Sequence, residues 1–148
     1  FGGMRQSIAP GPFTVGDIVS MLPFDNNIYL VEITGAELVD NLEQGVTACA
    51  PRSSCYPAVG GMTFESDGSA VTVTLDGGVA LDPEATYQVL VTDYIYSGGS
   101  GYFFNLYDST PEVLQVSYRD PVIDWTEAQQ SSAVDPIEDS IDATPRGN

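Results

Sequence analysis

The sequence predicts an α+β fold, with a small, mainly antiparallel sheet and a few flanking helices. Three observations predict it. Residues 71–75 alternate, Val71, Val73 and Leu75 on one side and Thr72 and Thr74 on the other, which is the period of a half-buried strand. Residues 35–46 place Ala36, Leu38, Val39, Leu42 and Val46 at amphipathic-helix spacing. The turn signals Asp67-Gly68 and Asp76-Gly77-Gly78 punctuate the β-rich runs at short intervals.

The elements follow in order. Residues 14–21 read as a short helix, with Thr14 as N-cap, Asp17 three residues on in a capping-box position, and Pro23 ending it. Asn27 to Ile33 is β-rich and Thr34-Gly35 breaks it. Thr34 then caps the amphipathic helix. Gly60 to Ser66, Ala70 to Leu75 and Thr86 to Val91 read as strands, paired antiparallel in one sheet, with Leu81-Asp82-Pro83-Glu84 as the turn before Tyr87. Tyr102 to Tyr107 and Val113 to Tyr118 fit strand or helix. Pro121 opens a last helix through Gln130, carrying Trp125 as a core residue. Residues 1–130 form one domain. Residues 131–148, rich in Ser, Asp and Pro, read as an acidic extended tail.

The 148 residues carry 21 acidic side chains against 4 Arg and no Lys, for a formal net charge of −17. Such a surface repels nucleic acid and suits a salt-adapted environment. No apolar run approaches the roughly 18 residues needed to span a bilayer. Cys49 and Cys55 flank a short Pro- and Ser-containing loop, which points to a disulfide in an oxidising compartment, stabilising by roughly 2 kcal/mol. Two free thiols in a reducing cell are the alternative. A zinc site lacks the further Cys or His it needs, since the chain has no His. The same absence excludes Ser-His-Asp and Cys-His catalysis.

The segment from Tyr94 to Phe103 sets Gly98, Gly99 and Gly101 among aromatic residues. Glycines serve where the backbone takes positive φ or passes close to another group. Upstream lie Gly2-Gly3-Met4-Arg5, Phe13-Thr14-Val15-Gly16-Asp17-Ile18 and Leu22-Pro23-Phe24-Asp25-Asn26, then Val31 through Leu38, Gly60-Gly61 and, near the end, Val122-Ile123-Asp124-Trp125. In this order these pieces resemble the C-terminal domain of the 5'-nucleotidase family along nearly the whole chain.

The resemblance implies a substrate-binding half. Phe24 and Tyr94 match the family's two aromatics, which sandwich a base with roughly 1–3 kcal/mol of stacking per base. Asn26 matches the residue that hydrogen-bonds the base edge, and Arg5 the guanidinium that reaches ribose and phosphate. Gly98, Gly99 and Ser100 fill the glycine loop. Ser100 stands where the family commonly has an Asp that holds ribose hydroxyls, and Tyr94 where it often has Phe. The family's divalent metals and catalytic dyad belong to a separate N-terminal metallophosphatase domain. The resemblance thus implies no catalytic residue, metal or cofactor in this chain and no hydrolysis by it alone. Phe1 falls inside a motif, so further polypeptide upstream is expected. The partners implied are a nucleoside or nucleotide and that N-terminal domain, in an extracytoplasmic (periplasmic, secreted or cell-surface) protein. The alternative is a non-catalytic assembly module of a cell-surface or extracellular protein that self-associates.

Overall fold

Two threonines start the two leading helices of the structure, a computed structural model that describes residues 3–9, 11, 12 and 14–129. Thr14 caps α1, Val15–Met21: its Oγ1 accepts from the Asp17 N–H, and Asp17 Oδ2 accepts from the Thr14 N–H at 2.7 Å. The Thr14 N–H and, after it, the Thr14 hydroxyl, which donates to Asp17 Oδ2 at 2.8 Å, hold the Asp17 carboxyl below its ordinary value. Thr34 repeats the capping box with Glu37 at the start of α2, Gly35–Ala48. The expectations for Phe1, Gly2, Phe13, Gln130 and the acidic tail at 131–148 lie outside the described residues.

Between the helices runs β1, Asn27–Thr34, the central strand of one sheet. After α2 come the hairpin strands β2, Met62–Ser66, and β3, Val71–Leu75, joined by the two-residue β4, Val79–Ala80. Then follow β5, Thr86–Thr92, the single-turn helices α3, Asp93–Tyr96, and α4, Phe104–Tyr107, the strand β6, Glu112–Ser117, and α5, Asp120–Gln129. The segment left open at 113–118 is therefore a strand, and the one at 102–107 ends in a helical turn.

The strands make two antiparallel sheets, ordered β5-β1-β6 and β2-β3-β4. The fold class is the expected α+β, but the expected single sheet is divided. Residues 86–92 pair with β1, matching Val31 to Val89 and Ile33 to Tyr87, and leave the hairpin to itself. The β2 strand starts at Met62 because Gly61 takes a left-handed φ of 77°.

One face of α2 closes the core between the sheets. Leu38, Leu42 and Val46 are buried with Val31 and Ile33 of β1, Phe64, Val71 and Val73 of the hairpin, and Tyr102 and Phe104. Gly35 is required at the start of α2, because a Cβ there would meet the Pro83 Cα at 3.1 Å. Asn41 is fully buried: its amide donates to the Glu37 carbonyl at 3.1 Å and its Oδ1 accepts from the Phe103 N–H at 3.0 Å. The Cys49–Cys55 disulfide forms and closes the loop after α2. Trp125 sits on α5 as expected, but it is 41% exposed and not in the core. The α5 helix buries no residue fully.

Candidate functional site

Strand β5 ends at Thr92, whose hydroxyl accepts from the Ile95 N–H and caps α3. Tyr94 therefore stands on a helical turn, directly after the strand. The residue is 55% exposed. Gly98 follows with φ 98°, reversing the chain so that Gly99 comes back against Tyr94. A Cβ on Gly99 would lie 2.5 Å from Tyr94 Cε1 and 2.6 Å from Cδ1. Glycine at 99 is thus what lets the loop carry the ring where it stands.

A cleft of about 580 Å³ opens in front of this ring, lined by Asn26, Tyr29, Asp93, Tyr94, Ser97, Gly98 and Gly99. Four of the residues singled out from sequence, Asn26, Tyr94, Gly98 and Gly99, are brought together there. Two carboxylate bonds assemble it: Asp93 accepts from the Asn26 side-chain amide and, through Oδ2, from the Asn27 N–H at 3.1 Å. With one N–H engaged, Asn26 still offers its carbonyl oxygen and second N–H to a ligand edge. Tyr29 supports the far wall, its ring 5.2 Å from that of Tyr96.

Phe24 precedes Asn26 by two residues and is 41% exposed, but it is not part of the cleft lining. The Arg5 guanidinium stacks over it, 5.1 Å from the ring centroid, while the Arg5 N–H donates to Met21 O at 2.8 Å. Arg5 and Phe24 are therefore brought together, beside the cleft. Ser100 takes a left-handed backbone, φ 59° and ψ 14°, uncommon for a non-glycine residue. It lines a different cavity, an apolar groove of about 710 Å³ between β5, α2 and residues 54–62.

Asp93 and Tyr29 escaped sequence reading. Thr92-Asp93 is a helix-start pair, a cap followed by a first-turn acid, and that signal could have placed Asp93 at an element boundary beside Tyr94. Tyr29 gave no signal beyond a strand aromatic. Among the described residues no group of three or more His, Cys, Asp or Glu is arranged to hold a metal ion, and no helix is long and apolar enough to cross a membrane.

Comparison with known proteins completes the picture. The family described as "5'-nucleotidase, C-terminal domain" matches residues 1–107. Protein UshA of Salmonella pullorum is 28% identical over 146 residues, covering 99% of this chain and 25% of its own. The trifunctional nucleotide phosphoesterase protein YfkN of Bacillus subtilis is 30% identical over 111 residues, 68% of this chain and 8% of its own. The solved 5'-nucleotidase precursor from Thermus thermophilus superposes with a TM-score of 0.78 at 28% identity, over 99% of this chain and 30% of that one. The chain spans a quarter or less of the length of these curated relatives.

Proposed function

The chain belongs to the 5'-nucleotidase C-terminal domain family, and from that premise we propose that it binds the nucleoside part of a nucleotide whose phosphate monoester is hydrolysed on an N-terminal metallophosphatase domain. The observation that carries this reading is the shared cleft of Asn26 and Tyr94, with Phe24 on the same turn as Asn26. A base is flat, apolar on its faces and polar at its edges. Tyr94 offers an exposed ring face, Phe24 offers the face opposite Arg5, and Asn26 offers edge hydrogen bonds.

Arg5 is the cation stacked on Phe24 in a strongly acidic protein, and its fork suits phosphate or ribose oxygens. Ser100, whose side the loop turns toward the apolar groove, is assigned to loop geometry and not to ribose. The chemistry of hydrolysis needs metal-activated water or an equivalent base. In this reading that chemistry belongs to the N-terminal metallophosphatase domain, and this chain binds and orients the substrate. The disulfide supports an extracytoplasmic setting.

Titration of the complete protein with adenosine and AMP tests the reading. Binding that falls about tenfold or more in both Phe24→Ala and Tyr94→Ala is expected from lost stacking. No binding by the wild type at millimolar ligand would overturn it. Ordered self-association indifferent to nucleosides would instead point to an assembly module.

A further inference from the structure

The turn that carries Phe24 and Asn26 is gripped from a second side, by a segment that lies beyond the residues 1–107 matched to the family. At the end of β6 the chain runs antiparallel to residues 25–27, rung by rung. Ser117 pairs with Asn27. The Tyr118 N–H donates to Asn26 O at 3.0 Å. Arg119 Nη2 donates to Asp25 Oδ1 at 2.8 Å, forming an ion pair. The Arg119 side chain is only 18% exposed while that of Asp25 is 90% exposed, so the arginine is laid down against the protein and the turn hangs from it.

The arginine is itself fixed. Its Nε donates to Ser117 Oγ at 3.4 Å, and its carbonyl accepts from the N–H groups of Val122 and Ile123 in the first turn of α5. Asp120 closes the corner by accepting from the Ser117 N–H at 2.9 Å. The strand–helix junction is thus a rigid anchor, and its one long arm ends on the residue next to Phe24.

We propose that Arg119 is a positioning residue for the base site: through Asp25 it fixes the turn that presents Phe24, without touching the ligand. This rests on the nucleoside-binding reading above. The interaction is a partly exposed ion pair, so its effect is modest and screened by salt, about twofold to fivefold in affinity.

The experiment uses the complete protein in two readouts. The first is amide hydrogen exchange over residues 22–27 without ligand, in wild type, Arg119→Ala and Asp25→Ala. Asp25 is solvent-facing, so its variant folds even if the arginine variant is impaired. Faster exchange in both is expected; unchanged exchange in Asp25→Ala overturns the proposal. The second is the dissociation constant for adenosine, with KM and kcat for AMP. Arg119→Ala should raise the dissociation constant and KM about twofold to fivefold and leave kcat unchanged. Arg119→Lys should recover part of the loss. In a Phe24→Ala background the effect of Arg119→Ala should vanish. An effect that persists in full there overturns the proposal. If the wild type binds no nucleoside while exchange over 22–27 still responds to Asp25→Ala, the nucleoside reading fails and the grip on the turn stands.

Discussion

The Asn26 side-chain amide donates to Asp93, the residue immediately before Tyr94. Two segments 67 residues apart in sequence are joined at the point where each presents an aromatic ring. Asp93 also accepts from the Asn27 N–H, so one carboxylate sets the spacing of the Phe24 turn from the Tyr94 turn. Replacing Asp93 with Ala should lower stability by about 1.5–3 kcal/mol, the range for a hydrogen bond to a charged group. Nucleoside affinity should fall with it. Asp93→Asn keeps one acceptor and should lose less. Denaturant unfolding and ligand titration on the same samples check both.

Gly99 fits because it has no side chain. Gly99→Ala forces its Cβ into the Tyr94 ring, so either the ring swings or the loop shifts. Nucleoside affinity should drop about as far as in Tyr94→Ala. Gly60→Ala is the matched control, since a Cβ there meets nothing within 4 Å. Binding by the Gly99→Ala variant equal to wild type would show that the ring is not held by the loop.

What was legible in the sequence was local. Thr14 with Asp17 and Thr34 with Glu37 announce their helices because a capping box is written in four adjacent residues. Val71 and Val73 announce their strand by alternation, and both are buried. Pairing was not legible in that way. Nothing near Thr86–Thr92 says that it will leave the hairpin and join β1, because that choice is set by the core of the whole domain. Strand β6 hides its role too: between the Tyr29–Val113 and Asn27–Ser117 pairs it carries two residues more than β1, with Gln115 at φ 53°. Of the candidate site, the aromatics and glycines were visible as types. The carboxylate that joins them was one of 21 acidic residues, and only the fold sets it apart.

Asn41 lies in the polar gaps of the α2 pattern, yet it is wholly buried. Its Oδ1 accepts from the Phe103 N–H, just past the glycine loop, and so pins the loop's exit to the helix. Asn41→Leu would fill the space but leave that N–H without its partner. A loss of about 1–3 kcal/mol is expected, against near-neutrality for an apolar swap at an ordinary helix position. Chemical denaturation measures the loss. Faster amide exchange at Phe103 would locate it.

Tyr102 links the disulfide loop to the core. Its hydroxyl donates to the Cys55 carbonyl at 2.8 Å, and burial, with a smaller contribution from Tyr56, pushes its phenol up to about 12 from an ordinary 10. The neutral phenol is therefore favoured in the folded state. Its contribution is fully present below pH 10 and is lost as pH rises from 10 through 12, because there the unfolded chain has already given up the proton that the folded chain retains. A difference of two units corresponds to about 2–3 kcal/mol. Tyr96 and Tyr107 are raised as well, so the comparison must be made against Tyr102→Phe, which leaves them in place. The stability advantage of wild type over Tyr102→Phe should be constant to pH 10 and shrink above it. Reducing the Cys49–Cys55 bond releases a short closed loop and should cost about 2 kcal/mol. It also frees the carbonyl that Tyr102 holds, so the reduced protein should show a smaller difference between wild type and Tyr102→Phe at neutral pH. Equal differences in the oxidised and reduced proteins would mean that the disulfide does not position this carbonyl.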